Sequence, residues 1–559
     1  LIVAVCWAAL AVQPMTSEAL KVAGVATVAA CLLPGTLATL MQRPLLTFFA
    51  VALLASSMLA LESTVWIGSA ARSQGALLAL ALLVLAAAAS RLGEDDRQAL
   101  VRTAAGLGGA LGAYVLVQHA GLDPISWQGA VERRPSATLS NATTLAGWLL
   151  LLLPVTLASA ATAATAATAV RHRWVWLALA GLQLAALLAT GTRSAIAALG
   201  LVAIGAWALR DARSRRMAAI LFAAAILMVA ILAAWRPASL QDRAHLWRTA
   251  IIALAAPDPL VDLHGQPDRH DVLRPWLGFG LDQQQAALQA AAASAPAGRA
   301  EAAGWSADRG HQLLLDRALE MGMVGVVAGL LLILAVTRAL RRGWRSNDPR
   351  RRREALALGV ALAAWLLHLQ ASFALTGDRT LAWVWIGMAL ALGSHDPATS
   401  ERSRRPDPSG ASPGWRTWAL RVLALSLAAG LLLGAAASGG WLSPPFLTRI
   451  APALQSERAF GAGQAAYVQA MATTGVAAAR YMAAAADAFE QAAALRRHDR
   501  DAALAAASAR IELAALSGTI KDVERARAWA AAVRRIAPND PRVAVVEARI
   551  TAVAGPRDD

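Results

Sequence analysis

The sequence predicts an all-α protein: a polytopic helical membrane protein of about 12 to 13 transmembrane helices with a C-terminal soluble helical-repeat tail. Three observations lead there. Of 559 residues, 57% are hydrophobic and only 16% charged, where soluble domains carry roughly 25% charged residues. Apolar runs of about 20 residues, long enough at ~1.5 Å per residue to cross a ~30 Å hydrocarbon core, recur as far as Gly440. Beyond Trp441 the pattern changes, and charges are interspersed among alanines at helical spacing.

In chain order the apolar spans fall at 1–13, 19–41, 44–61, 74–90, 98–119, 142–160, 174–190, 194–209, 217–235, 313–337, 355–375, 380–394 and 417–440. The first is short and starts at Leu1 without Met or a basic segment, so it reads as a clipped helix rather than a signal peptide. Cys6 and Cys31 both lie in apolar runs, which argues against a disulfide framework or a thiolate metal site.

Fifty-two basic against 36 acidic residues leave a net charge of +16, and Lys21 and Lys521 are the only lysines. In a membrane protein such charge sets topology, because basic residues collect in cytoplasmic loops. It does not point to nucleic acid. Arg338, Arg341, Arg342, Arg345 and Arg350 to Arg353 form the densest cluster and should face the cytoplasm. Alternation from that loop also puts Arg43, Arg91, Arg97, Arg102, Arg171, Arg173, Arg210 to Arg216 and Arg402 to Arg405 inside, with Arg72, Arg379 and the Arg133–Arg134 pair as exceptions. The outer face then carries 120–141, the turn Gly191 to Ser194 and the long loop 236–312.

The chain therefore divides into a membrane-embedded core, 1–395, which includes outer loop 236–312; a Pro/Ser/Arg-rich cytoplasmic linker, 396–416; a last transmembrane helix, 417–440; and an extracytoplasmic tail, 441–559. Tail helices are expected near 476–496, 500–516, 522–536 and 541–554. Arg534-Arg535-Ile536-Ala537-Pro538-Asn539-Asp540-Pro541 resembles a junction between tetratricopeptide repeats, and Ala492 to Asp501 looks like Ala531 to Asp540. A plain Ala-rich helical hairpin is the competing reading.

Three polar signatures line the expected outer face. One is Gly191-Thr192-Arg193-Ser194, where a cation at the hydrocarbon edge must snorkel or be paired. The next is Asp242-Arg243-Ala244-His245-Leu246-Trp247, followed by Pro275-Trp276-Leu277-Gly278-Phe279-Gly280. The last is Asp308-Arg309-Gly310-His311-Gln312, leading into Leu313. Together with Arg134-Pro135-Ser136-Ala137-Thr138-Leu139-Ser140-Asn141 and the later Pro154, these elements in this order resemble the O-antigen ligase and O-antigen polymerase superfamily of bacterial membrane glycosyltransferases. The resemblance covers roughly residues 20 to 395. Two departures stand out: Gln312 follows the His where the family usually has Asn, and Pro257 to Arg274 is insertion-like.

The resemblance implies a GT-C-like fold in the cytoplasmic (inner) membrane. It also implies transfer of a glycan from a polyprenyl diphosphate carrier to a hydroxyl on a glycan, lipid or protein acceptor, with inversion and without a metal or other cofactor. The residue types suit that chemistry. Guanidinium forks neutralise a diphosphate bidentately, and Arg193 and Arg243 are the candidates. A histidine can take the acceptor's proton, and His311 is the candidate base, with a helix-start residue as the alternative.

Arg248, Arg309, Arg134, Gly278 and Gly280 are further diphosphate- or substrate-binding candidates. Arg248 lies ~140° from Arg243 round a helix and does not share its face. Arg309 has Asp308, Asp316 or a phosphate as partner, and Arg134 either the carrier or Glu132. Asp262, His264, Asp268, His270 and Asp271 read as a solvated loop rather than a metal site. The tail is expected to bind protein partners. A transporter or a membrane scaffold is the competing class, although the span centres are nearly free of carboxylates.

Overall fold

The structure is a computed structural model that describes residues 1–2, 4–5, 17–69, 72–123, 134–139, 141–163, 169–208, 237–255, 260–292, 308–393, 452–538 and 540–554. The expected spans at 217–235 and 417–440, most of 1–13, and the linker 396–416 lie outside these residues. Among the described residues the chain is helical, with a single isolated β-bridge between Val261 and Pro267 and no strand.

The apolar helices are α1 (Ser17–Gln42), α2 (Pro44–Met58), α3 (Ala76–Ala89), α4 (Glu94–His119), α5 (Ala142–Ala163), α6 (Ala169–Ala189) and α7 (Arg193–Ala208). After α8 (Pro237–Ala255) and α9 (Gln284–Ala292) come α10 (Leu313–Trp344), α11 (Pro349–His368) and α12 (Thr376–Gly393). Within them, Lys21–Gln42, Glu94–His119, Ala142–Thr162, Leu313–Trp344 and Pro349–Ala371 are long and apolar enough to cross a membrane, whereas Pro44–Met58, Ala76–Ala89, Arg173–Ala189 and Arg193–Gly205 are apolar but shorter. The expected helix starts are reproduced within a few residues. Length is what separates the two sets, since ~1.5 Å per residue leaves a 13- to 17-residue helix short of ~30 Å.

The described residues group into two compact units. The first joins 1–51, 77–236 and 327–439, and the second joins 52–76, 237–326 and 440–559. In the first unit α5 is central, packed by α4, α6, α7, α11 and α12, and its Trp148 and Leu149 to Leu151 are fully buried.

Besides mid-helix bonds such as Trp385 Nε1 to the Leu151 carbonyl at 2.9 Å, this unit has two sets of polar bonds between segments at opposite helix ends. In one set, Arg97 Nε donates to Glu354 Oε1 at 2.9 Å, Arg342 Nη1 to the Gly393 carbonyl at 3.0 Å, Arg91 to the Gly35 carbonyl and Arg351 to the Leu392 carbonyl. In the other, Lys21 Nζ donates to the Thr138 carbonyl at 2.9 Å and the Thr376 N–H to Glu18 Oε2 at 3.1 Å, and Ser194 Oγ lies 2.9 Å from His368 Nδ1. The arginines gather in the first set. Helices α1, α11 and α12 run between the two.

In the second unit, the span expected to begin at Leu313 is broken: Gly322 has φ 61°, ψ −163°, so α10 is two helices merged across a kink. A Cβ on Gly322 would lie 2.2 Å from the Trp276 carbonyl carbon, so only glycine lets the two backbones meet there. The carbonyls at the kink are put to use. Phe279 and Gly280 N–H groups donate to the Leu319 and Glu320 carbonyls at 2.8 and 3.1 Å, and Ser56 Oγ to the Glu320 carbonyl at 2.7 Å.

The same unit holds the tail: α13 (Pro452–Met471), α14 (Gly475–Leu495), α15 (Arg500–Ser517), α16 (Ile520–Ile536) and α17 (Pro541–Ala554). Four of these stand where expected, and α13 is an additional helix. Each packs on its neighbour in sequence. Asp499 caps α15 through the Asp501 and Ala502 N–H groups at 3.0 Å, and Asp540 accepts the Arg542 N–H at 2.9 Å, so Asp499 is the structural counterpart of Asp540.

Candidate functional site

In the first unit the Gly191 turn (φ 60°) separates α6 from α7. Its shape is fixed from inside and outside. Thr190 Oγ1 donates to the Leu187 carbonyl at 2.7 Å and accepts the Thr192 N–H at 3.2 Å. Arg134 closes over the turn, donating from Nε and Nη2 to the Thr190 carbonyl at 2.8 and 2.6 Å and from Nη2 to Thr192 Oγ1 at 2.6 Å. Burial lowers the Arg134 pKa, and the charge of Arg193 lowers it further. The structure thus brings Arg134 and Arg193 together. Arg193 is exposed at the first position of α7, where the N-terminal backbone dipole also favours an anion.

Just inside that turn lies a buried polar group that sequence reasoning missed. Lys21, fully buried, is paired with Glu18 at 3.2 Å. Glu18 also accepts the Thr376 N–H, and Asp378 accepts the Trp365 indole N–H at 2.9 Å and the Leu375 N–H at 2.8 Å. His368 and Asp378, both buried, flank Gly147: a Cβ there would come 3.0 Å from Asp378 Oδ2 and 3.5 Å from His368 Cδ2. The available signal was the i, i+3 pair Glu18 and Lys21 inside an apolar span, since charge at that depth needs a partner.

In the second unit α8 carries Arg243 and Trp247 on one stripe that continues to Ala250. A Cβ on Gly310 would sit 3.9 Å from the Ala250 Cβ, so this stripe meets the segment holding His311. Arg243 is half-buried, and burial lowers its pKa; Arg248 is exposed. That is the distinction expected from their angular separation.

His311 has φ 52°, a left-handed conformation rare outside glycine, and its side chain is 30% exposed. Flanking bonds hold it there. The Gly310 N–H donates to Asp316 Oδ1 at 2.7 Å, and Gln312 Oε1 caps α10 by accepting the Leu315 N–H at 2.6 Å. His311 Nε2 lies 3.7 Å from Asp308 Oδ1, and Asp308 also receives Arg72. Burial pushes the Asp308 carboxyl up, but His311 and the Arg72 and Arg309 charges outweigh it and hold it well below the usual carboxylate range.

Arg309 pairs with neither Asp308 nor Asp316. It is 1% exposed and donates from Nη2 to Asp282 Oδ1 at 2.8 Å. Burial works against its charge, but Asp282 and the neighbouring carboxylates more than offset this and raise its pKa. Asp282, at φ 59°, also accepts the Ser69 N–H and hydroxyl at 2.7 and 2.9 Å. Arg309 is therefore a buried strut, and Asp282, two residues past Gly280, is its anchor.

Gly278 and Gly280 serve backbone approach. At φ 72° and 106°, their Cβ positions would lie 2.5 Å from Glu320 and Ala60 atoms respectively. Arg274, 4% exposed, braces this loop through Asp268 at 2.5 and 2.9 Å and through the Leu59 and Gly278 carbonyls at 2.6 and 3.0 Å.

The solvated reading of the insertion holds for His264, which is exposed, but not for two of its aspartates. Asp262 and Asp268 are buried, and Asp262 accepts the His264 and Gln266 N–H groups at 2.9 and 2.8 Å. The reason is tertiary: Leu263, 2% exposed, is seated in the core of the tail helices. Among the described residues no cluster of three or more potential ligands could hold a metal.

No protein-family model matches this chain, and no curated protein matches it either.

Proposed function

We propose that this chain is a membrane glycosyltransferase of the O-antigen ligase kind, moving a glycan from a polyprenyl diphosphate carrier to a hydroxyl acceptor on the outer face of the cytoplasmic membrane. The observation that carries the reading is His311: a partly exposed imidazole in a strained left-handed conformation, beside an ionised Asp308, at the mouth of a long apolar helix. Strain of this kind persists where the surroundings over-determine it, and it concentrates at active sites.

In this reading the acceptor oxygen attacks the anomeric carbon and its proton passes to His311. The bond from that carbon to the diphosphate oxygen breaks, and the electron pair leaves with the diphosphate. Attack opposite the leaving group inverts the centre. Arg243 is the diphosphate cation in the unit that holds His311, and Arg193 with Arg134 beside it is the anion-binding pair of the other unit, so no metal is called for. Arg309, enclosed by Asp282, positions the His311 segment and does not touch substrate. Arg248, exposed on α8, contacts lipid headgroups or the acceptor. The tail is assigned as a tetratricopeptide-like scaffold for a protein partner. Ligation to a lipid, polymerisation of repeat units and transfer to protein share this chemistry and differ only in the acceptor.

One observation favours a second reading, a proton-coupled transporter: Glu18, Lys21, His368 and Asp378 are ionisable side chains buried among helix ends. The deciding experiment uses purified protein, a synthetic polyprenyl diphosphate oligosaccharide and an acceptor, with no transmembrane gradient. Glycosylated acceptor formed in the presence of chelator supports the glycosyltransferase, whereas gradient-dependent movement of an unmodified solute in proteoliposomes, without transfer, replaces it.

A further inference from the structure

Between the arginine-rich ends of α4 and α11 and the apolar end of α5 lies a cavity of about 420 Å³ that the proposed reaction does not use. Its rim is charged. Arg97, Arg102, Arg350 and Arg353 line it against two acids, Glu94 and Glu354. Arg97 is engaged by Glu354 at 2.9 Å, and Arg350 stands 3.8 Å from Glu94 with both side chains mostly exposed. Among the described residues the other two cations make no ion pair: Arg102 Nε donates to the Gln98 carbonyl of its own helix at 3.3 Å, and Arg353 faces the cavity without an acidic partner.

The wall is apolar, formed by Val155, Ala158, Leu358 and Met388, with Trp176 at the margin. The hydroxyls there are already spent, since Ser159 and Thr162 donate to the Val155 and Ala158 carbonyls at 2.9 Å each. A soluble anion would gain nothing from such a wall. An uncharged hydrocarbon would gain nothing from the rim.

We infer that this cavity binds an anionic phospholipid, its phosphate between Arg102 and Arg353 and an acyl chain along Val155, Ala158 and Leu358. Basic pockets between membrane helices recognise acidic headgroups in this way, and a tryptophan at the margin suits the headgroup level. The site lies at the helix ends opposite the Glu18–Lys21 and Ser194–His368 contacts, and it does not depend on the glycosyltransferase assignment.

The test is native mass spectrometry of the full chain released from nanodiscs of equimolar phosphatidylglycerol and phosphatidylcholine. Wild type should retain phosphatidylglycerol selectively. Arg102→Gln, at an exposed position that tolerates the change, should weaken phosphatidylglycerol binding about fivefold, matching ~1 kcal/mol per basic residue at a membrane surface. Arg102→Gln/Arg353→Gln should weaken it roughly thirtyfold, and Arg341→Gln, exposed at the same helix ends but outside the cavity, should not. Ala158→Phe, which keeps every charge and fills the wall, should also reduce retention. Equal retention of the two lipids, or unchanged phosphatidylglycerol binding in Arg102→Gln, overturns the inference. So does equally tight binding of glycerol phosphate, which has the charge but no acyl chain.

Discussion

The Leu263 N–H donates to the Arg497 carbonyl at 2.8 Å, and the Leu263 carbonyl in turn accepts Arg535 Nη2 at 2.7 Å. One loop residue is thus gripped by the α14–α15 turn and the end of α16 while its side chain enters the tail's core. Leu263→Ala should therefore cost about 2–5 kcal/mol of tail–loop stability. Hydrogen exchange should rise together in 260–273 and around Arg497. Protection unchanged in both segments would show that the leucine is not what joins them.

His311→Ala should lower the transfer rate by ~10²- to 10⁴-fold, the usual cost of losing a general base, while binding of lipid-linked donor stays near normal. His311→Gln should not restore the rate, because an amide cannot accept the proton. A parallel loss of donor affinity would make the residue a phosphate contact instead.

Arg193→Ala and Arg243→Ala should each abolish transfer at normal protein level, with partial rescue by Lys, which supplies charge without a fork. Arg134→Ala should weaken the same step, and in addition loosen the Thr190–Thr192 turn it bridges. Activity lost in Arg248→Ala and kept in Arg243→Ala would reverse the assignment on α8.

Asp282→Ala removes the partner of a guanidinium that has no access to water, and should destabilise the protein by about 3–5 kcal/mol. Thermal unfolding in detergent would measure it. A change below about 1 kcal/mol would mean that Arg309 finds another carboxylate.

Acid should open the insertion before neutral pH has any effect. Burial pushes Asp268 up, but the Arg274 bond and the His270 N–H outweigh it, so its folded pKa lies below the ordinary value. The folded state then binds fewer protons than the unfolded one. The stabilisation is present above about pH 4 and is lost as pH falls through the folded pKa. Exchange protection of 260–277 should stay level from pH 7 to about pH 5 and drop below pH 4, and Asp268→Asn should remove that dependence.

Helix positions were legible because apolar runs and their caps are local, and α4, α5, α11 and α15 stand close to where the sequence put them. Helix α13 was not, since its Ala-rich stretch carries little periodic contrast ahead of Gly475. Nor was burial in the insertion. Asp262 looked solvated because the residues that cover it lie more than two hundred positions away, at Arg497 and beyond. Arg243 and Arg248 could be told apart by helical angle alone, but Arg309 could not be assigned without Asp282, a lone carboxylate in a loop that no spacing rule marks. The break at Gly322 was not legible even though Asp316, Arg317 and Glu320 precede it, because the hydropathy pattern reports which side chains are oily and not whether φ is positive.

The seat of Leu263 also sets an order of events during synthesis. Arg497 and Arg535, which hold it, leave the ribosome long after the loop does; at ~5–20 residues per second the gap is on the order of tens of seconds. Throughout that interval the nascent loop carries an uncovered leucine, so its final shape is a late step of biogenesis, and a ribosome stalled anywhere before Arg497 leaves a loop with no partner to close upon.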